Sequence, residues 1–169
     1  MNKTMKKTAI VVGSDSDFHV ARKSMEVLER LKIPFDVRLI SAHRTPAAAI
    51  EFAVRARSDG FGAIIAIAGK SAALAGVLAA HTRLPVIGVP VRSEDLGGMD
   101  ALLSTAQMPP GVPVACMAID GGANAAWFAA RILAVDDEEL SLKLEDEVAK
   151  MTASVEKKDH DLREKYSQQ

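Results

Sequence analysis

The chain has 169 residues, of which 49% are hydrophobic and 25% charged, and its formal net charge is -1. This balance suits a protein with a buried core and argues against a nucleic-acid-binding protein, which usually carries a basic excess. The only cysteine, Cys116, excludes a disulfide within the chain, and no apolar stretch approaches the roughly 20 residues that cross a bilayer. We therefore expect a cytoplasmic protein without membrane contact, folded as one domain over residues 1–169.

Short apolar runs rich in β-branched residues alternate with longer amphipathic runs. The short runs predict five strands, at Thr8–Val12, Phe35–Ile40, Ala63–Ala68, Pro85–Val89 and Val112–Ile119. None of them alternates cleanly between apolar and polar residues. Continuous apolar runs are typical of parallel strands that are covered on both faces.

The amphipathic runs predict six helices, at Phe18–Leu31, Pro46 to about Arg57, Ser71–His81, Asp100–Gln107, Asn124–Ala134 and Asp137 to about Lys165. Thr45 suits the N-cap of the second helix, with Pro46 at its first position. The β-α repetition predicts an α/β fold, a flavodoxin-like three-layer doubly wound sheet of five parallel strands in the order 2-1-3-4-5. We expect a core over about 8–134 and a long C-terminal helix over about 137–165.

Alanine crowds the third and fifth predicted helices. It is the residue that most favours helices, so its abundance has a simple local explanation. The alternative is close approach of these helices to others, within the subunit or between subunits. Because the helix over 124–134 is almost wholly apolar, it needs burial on more than one side. This requirement favours an oligomer.

In open α/β sheets, ligands bind beyond the carboxyl ends of the strands. The segment after the first predicted strand is Gly13–Asp17, a strand-to-helix turn. Its glycine and the free N–H groups of the next helix suit a phosphate, and Ser14 and Ser16 add hydroxyl donors. Asp17 can accept hydrogen bonds from ribose hydroxyls. The alternative is that Ser16 or Asp17 only caps the helix.

The segment after the second predicted strand, Ser41–Pro46, combines proton-transfer and anion-binding residues. Histidine shuttles protons near neutral pH, which makes His43 a candidate acid/base. The adjacent Arg44 can hold a phosphate in bidentate fashion, and Ser41 is a further candidate substrate ligand. The alternative is an ordinary solvent-facing loop.

The segments after the third and fourth predicted strands carry weaker signals. Gly69, Lys70 and Ser71 are candidate substrate-binding residues, since the lysine can bind an anion or a carboxylate; it can equally be a solvated cation. For Arg92 and Ser93 an ordinary loop position is a better explanation than ligand binding, because charged residues are common in loops. Cys116 is expected in the core, inside a strand. No His, Cys, Asp or Glu residues have metal-site spacing, so we expect no metal.

Three motifs in this order carry a family resemblance: Gly13-Ser14-Asp15-Ser16-Asp17, Ser41-Ala42-His43-Arg44-Thr45-Pro46 and Gln107-Met108-Pro109-Pro110-Gly111-Val112-Pro113-Val114-Ala115. Together they resemble the class I N5-carboxyaminoimidazole ribonucleotide mutase family, also labelled the catalytic subunit of phosphoribosylaminoimidazole carboxylase. The likeness runs from about residue 8 to residue 133.

This resemblance implies a flavodoxin-like subunit of a homo-octamer in purine biosynthesis that uses neither a metal nor an organic cofactor. It implies conversion of N5-carboxyaminoimidazole ribonucleotide to the 4-carboxy isomer by loss and recapture of CO2. His43 then falls on the general acid/base of the family. Arg44, Ser14, Ser16 and Asp17 fall on the residues that hold the ribose phosphate.

One segment departs from the class I pattern. Class I members usually have a longer glycine-rich segment with a second histidine after strand three, whereas the segment from Ala68 to Gly76 is shorter and has no histidine. It looks more like class II, whose members carboxylate aminoimidazole ribonucleotide directly with CO2. Direct carboxylation is therefore an alternative function. A third alternative, from another class, is a non-catalytic nucleotide-binding module.

Overall fold

The computed structural model describes residues 5–167. The five strands are β1 (Lys7–Val12), β2 (Phe35–Leu39), β3 (Phe61–Gly69), β4 (Val86–Val91) and β5 (Ala115–Cys116). The six α-helices are α1 (Phe18–Leu31), α2 (Pro46–Arg55), α3 (Leu74–His81), α4 (Met99–Ala106), α5 (Gly122–Ala134) and α6 (Glu138–Tyr166). A short 3-10 turn at Asp15–Asp17 leads into α1.

The strands form one parallel sheet in the order β2-β1-β3-β4-β5, which confirms the predicted topology. Ile10 of β1 pairs with Val37 on one side and with Ile65 on the other. β2 thus lies at one edge of the sheet beside β1. β3 pairs with the other side of β1, and β4 and β5 follow in order. The reversal of direction between β1 and β3 opens a crevice at the carboxyl ends of the strands.

Two hydrophobic cores cover the two faces of the sheet. Alternate residues of β1 divide between them, because successive side chains of a strand point to opposite faces. Ile10 and Val12 pack with α1 and α5, while Ala9 and Val11 pack with α2 and α3. This arrangement explains why β1, β3 and β4 lack polar alternation, as predicted for strands covered on both faces. The edge strand β2 differs from that expectation, because the exposed Asp36 and Arg38 alternate with the half-buried Phe35 and Val37.

The fifth helix packs closely on the first. A Cβ on Gly122 would lie 2.3 Å from the Val20 carbonyl oxygen, and the buried Ser24 hydroxyl donates to the Gly122 carbonyl at 2.8 Å. The alanines of α5 that face this contact are fully buried: Ala125, Ala126, Ala129 and Ala130. The alanine-rich helix therefore serves close approach within the subunit. Since α1, the sheet and α6 cover it, its apolar character does not require an oligomer, which corrects that argument from the sequence.

The fifth strand is much shorter than the predicted Val112–Ile119. Only Ala115 and Cys116 pair with β4. The residues before them turn, with the Val112 N–H donating to the Pro109 carbonyl, and Pro113 has no N–H to give to a ladder. Cys116 is half-buried at this sheet edge and not in the core as expected; burial raises the pKa of its thiol.

The third helix begins at Leu74, three residues later than predicted. Lys70 has a left-handed backbone, with φ of 54°. Tight turns then follow, because the Ala72 N–H donates to the Lys70 carbonyl and the Ala73 N–H to the Ser71 carbonyl. The segment from Gly69 to Ala73 is therefore a loop at the end of β3.

The last helix is long, and its second half is exposed. Its first turns pack on α1 and α5, and Leu140 is fully buried. Beyond them an exposed apolar stripe runs along one side, formed by Val148, Met151, Val155 and Leu162. No helix between residues 5 and 167 combines the length and the apolar character that a bilayer span requires.

Candidate active site

A cavity of about 730 Å³ lies at the carboxyl ends of the strands. Its walls are the segments that follow β1, β2, β3 and β4. All nine residues that the sequence nominated line it: Ser14, Ser16, Asp17, Ser41, His43, Arg44, Gly69, Lys70 and Ser71. Four loops that are distant in sequence meet there because parallel strands end at the same edge of the sheet.

The loop after β1 offers a connected row of hydroxyl groups. The Ser16 hydroxyl lies 3.0 Å from the Ser14 hydroxyl and 3.1 Å from Asp17 Oδ1. The Asp17 N–H donates to the Ser14 carbonyl, which closes the turn. A ligand at this loop would meet two hydroxyls and one carboxylate within a few residues.

Asp17 is buried, with only 7% of its surface exposed. Burial raises the pKa of its carboxyl above the ordinary value of 3.8, against smaller lowering contributions from the Ser16 hydroxyl and from His19. Although Asp17 stands at the N-cap of α1, its side chain makes no capping hydrogen bond. The capping alternative therefore does not account for this carboxylate, which faces the cavity beside Gly69.

The loop after β2 is closed by its own side chains. The Thr45 hydroxyl accepts from the Ser41 N–H and donates to the Ser41 carbonyl, both at 3.0 Å. The Ser41 hydroxyl accepts from the Arg44 N–H at 3.2 Å. Thr45 thus occupies the predicted N-cap position of α2, but its hydroxyl stabilises the loop and not the first turn of the helix.

His43 and Arg44 project from this closed loop into the cavity. Within the described part of the chain, the His43 imidazole has no hydrogen-bond partner and Arg44 has no carboxylate within ion-pair distance. A loop closed by its own hydrogen bonds therefore presents one proton-transfer group and one cation without a carboxylate partner to a ligand.

Lys70 has a partner that the sequence did not suggest. Its ammonium group lies 2.5 Å from Asp95 Oδ2, across the mouth of the cavity. The contact raises the pKa of Lys70 and lowers the pKa of Asp95. Both side chains are exposed, so this ion pair is open to exchange with an anionic ligand.

No group of three His, Cys, Asp or Glu side chains between residues 5 and 167 has a metal-binding arrangement.

Comparison with known protein families identifies the family of this chain. A family model described as AIR carboxylase matches residues 7–154, which is most of the chain. The chain belongs to the AIR carboxylase family. The match spans the four loops of the cavity and most of the elements that hold them.

Relatives of this family member carry one repeated name. The chain is 47% identical to the N5-carboxyaminoimidazole ribonucleotide mutase of Pyrococcus horikoshii, over 88% of this chain and 84% of the relative. It is 48% identical to the mutase of Bacillus subtilis, over 81% and 86% of the two chains. The crystal structure of Treponema denticola PurE superposes with a TM-score of 0.85 at 28% identity, over 92% of this chain and 98% of that one.

Several residues that line the cavity of this AIR carboxylase family member were not nominated from the sequence. The sequence favours an ordinary loop role for Arg92 and Ser93 and singles out neither Glu94 nor Asp95, yet all four line the cavity. All four follow β4, so the rule that placed the other loops also points to them. Their position directly after a strand is the signal that identifies them, although charged residues are also common in loops that bind no ligand.

Proposed function

We propose that this protein is an N5-carboxyaminoimidazole ribonucleotide mutase of purine biosynthesis. It converts its substrate to 4-carboxy-5-aminoimidazole ribonucleotide, with His43 as the general acid/base. The observation that carries this proposal is the single cavity that joins His43 and Arg44 to the loop after β1, in a chain 45–49% identical to several mutases.

The ribose phosphate would bind between the loops after β1 and β2. Arg44 supplies a guanidinium that no carboxylate between residues 5 and 167 neutralises, and Ser14 and Ser16 supply hydroxyl donors. Asp17 would accept hydrogen bonds from the ribose hydroxyls. Ser41 would contribute by holding the Arg44 backbone.

His43 would move protons in both halves of the reaction. First the carbamate C–N bond breaks, CO2 leaves, and the exocyclic nitrogen takes up a proton that His43 donates. Ring carbon C4 then attacks CO2, a C–C bond forms, and the C4 proton passes to His43. The imidazole thus ends as it began, and the overall change is an isomerisation.

Retention of CO2 would be a second task of the cavity. A released CO2 held beside the ring makes the second bond formation effectively unimolecular. Gly69, Lys70 and Ser71, at the end of β3, line the same cavity as His43 and Arg44, and we propose them as the remaining substrate contacts.

A paired assay tests the proposal. One arm supplies N5-carboxyaminoimidazole ribonucleotide with CO2 removed; the other supplies aminoimidazole ribonucleotide with bicarbonate. Fast formation of the 4-carboxy product only in the first arm is the expected result. Efficient turnover only in the second arm would make the protein a direct carboxylase, and no product in either arm would favour a binding module.

We also propose that the protein works as a cytoplasmic homo-octamer. The exposed apolar stripe of α6 supports assembly, because soluble chains seldom leave such a continuous stripe uncovered. A second exposed apolar group, Leu96, Met99 and Leu103, lies on α4 and the turn before it. Native mass spectrometry at micromolar concentration measures the oligomer number directly.

A further inference from the structure

We propose that Arg92 is a specificity-determining residue that binds the carboxylate of the ribonucleotide, and that Asp120 is the positioning residue that holds Arg92. This inference rests on the proposed function, since it requires a ligand with both a phosphate and a carboxylate. It assigns a role to a cation that lines the cavity from the end of β4.

Asp120 ties the end of β4 to the turn after β5. Its Oδ1 accepts a hydrogen bond from the Arg92 N–H at 2.9 Å, and its Oδ2 lies 3.8 Å from Arg92 Nε. Its own N–H donates to the Pro90 carbonyl at 2.9 Å. One residue thus contacts both the backbone and the guanidinium of a residue 28 positions earlier in the chain.

The backbone of Asp120 adopts a left-handed conformation at this contact. Its φ is +57°, in the left-handed region that aspartate and asparagine tolerate better than most residues. Gly98 approaches from the other side, where a Cβ would lie 3.1 Å from Arg92 Cα. The Arg92 backbone is therefore held between two segments, while its side chain remains 69% exposed and able to reach a ligand.

Two of the cavity cations stand at opposite sides of the cavity, so a ligand with two anionic ends would meet one cation at each end. Arg44 follows β2 and Arg92 follows β4, and β1 and β3 lie between these strands. With strand spacings of about 4.8 Å, the two strand ends are about 14 Å apart. Arg44 thus stands on one side of the cavity and Arg92 on the other.

The third cation of the cavity is less available. Lys70 contacts Asp95 at 2.5 Å, whereas the Arg92 guanidinium lies 3.8 Å from Asp120, a looser contact. An arginine can also donate two parallel hydrogen bonds to a carboxylate, which a lysine cannot. If Arg44 holds the phosphate, the geometry leaves Arg92 as the better ligand for the carboxylate at the other end.

Calorimetric titration with two ligands tests the role of Arg92. The 4-carboxy ribonucleotide and aminoimidazole ribonucleotide carry the same ribose phosphate and differ in the carboxylate. We expect Arg92→Ala to weaken binding of the carboxylated ligand by about tenfold or more, the range of a charged hydrogen bond, and to change binding of the other less than about twofold. Arg57→Ala, outside the cavity, is the matched control and should change neither.

Steady-state kinetics test the role of Asp120. Asp120→Gly suits the left-handed backbone, so we expect a folded protein whose KM for the carboxylated substrate rises by several-fold with a smaller change in kcat. Asp120→Asn keeps an oxygen acceptor for the Arg92 N–H and should restore much of the loss. Circular dichroism and thermal melting confirm that both variants fold.

The outcomes separate this inference from the proposed function. If the wild-type protein binds neither ribonucleotide, the proposed function fails. If it binds both, and Arg92→Ala weakens both equally or neither, the assignment of Arg92 is overturned. If Asp120→Gly leaves KM unchanged while Arg92→Ala raises it, Asp120 has no positioning role.

Discussion

The Ser41 hydroxyl accepts a hydrogen bond from the Arg44 N–H at 3.2 Å and lies 3.5 Å from Arg44 Nε. This contact holds the arginine at the edge of the cavity.

We expect Arg44→Ala to weaken ribonucleotide binding by about tenfold to a hundredfold and to leave binding of a phosphate-free nucleoside analogue much less affected. Ser41→Ala should give a smaller loss of the same kind. Competition binding with both ligands measures this, and equal losses for both would place Arg44 away from the phosphate.

His43 is expected to carry the proton transfers. Asparagine keeps the polarity and approximate size of histidine but cannot shuttle a proton, so His43→Asn should lower kcat by about 10²–10⁴-fold. Ribonucleotide binding should change little. His81→Asn is the matched control, because His81 lies on α3 outside the cavity and, among residues 5–167, its ring hydrogen-bonds only with the Val77 carbonyl. Full activity in His43→Asn would show that another group moves the proton.

Burial of Asp17 predicts a pH-dependent stability cost. Because burial raises the pKa of its carboxyl, the folded state holds this proton more tightly than the unfolded state. The free-energy cost of burying the ionised Asp17 carboxyl is absent when the pH is below the ordinary pKa of 3.8. It grows as the pH rises from there through the pKa of the folded state, and it is complete above that pKa. Asp17→Asn should therefore raise the free energy of unfolding at pH 7, and the gain should disappear near pH 3.

Urea denaturation at several pH values checks this expectation, with Glu156→Gln on the exposed second half of α6 as the control. A gain in stability that does not depend on pH would contradict the assignment to Asp17 ionisation. If Asp17 also binds ribose hydroxyls, the same variant should bind the ribonucleotide more weakly. Greater stability with weaker binding is typical of a polar group that is buried for function.

Thr8 in β1 is fully buried, and its hydroxyl has no hydrogen-bond partner among residues 5–167. Valine has nearly the same shape without the hydroxyl, so Thr8→Val should stabilise the protein by about 1 kcal/mol. That corresponds to about 2–4 °C in Tm for a chain of this size. Thr105→Val is the control, since the buried Thr105 hydroxyl donates to the Ala101 carbonyl and its loss should not stabilise. Calorimetry compares the two variants.

The apolar stripe of α6 is expected to mediate assembly. Met151→Glu places a charge within it and should lower the oligomer number without unfolding the subunit, because the second half of α6 packs on little of its own chain. Ala153→Glu, on the opposite side of the same helix, should leave the oligomer intact. Light scattering after size exclusion measures both. The same oligomer number in both variants would place the contacts between subunits elsewhere.

Much of the fold followed from local patterns. The first helix was predicted with both ends correct at Phe18–Leu31, because an amphipathic run is bounded there by the turn at Asp17 and by Lys32. The second helix begins at Pro46 as predicted, since proline suits a first helical position. The order of the strands followed from β-α repetition and from the handedness of the crossovers.

Features that depend on contacts across the chain were not predicted. The pairing of Lys70 with Asp95 and of Arg92 with Asp120 joins residues 25 and 28 positions apart. The short β5 and the late start of α3 depend on turns, and a turn leaves no periodic pattern of apolar residues in the sequence. The two ion pairs require the packed sheet, because only the packed sheet brings separate loops to one edge.

The sequence by itself determined the α/β class, the strand order and the loops that carry chemistry, because hydrophobic period and turn residues act over a few positions. The tertiary structure decided how those loops meet. It buried Asp17, left Arg44 without a carboxylate partner within the described chain and engaged Lys70 with Asp95. Burial and charge pairing depend on distances in space, and residues far apart in the chain acquire those distances only when the sheet and its helices are packed.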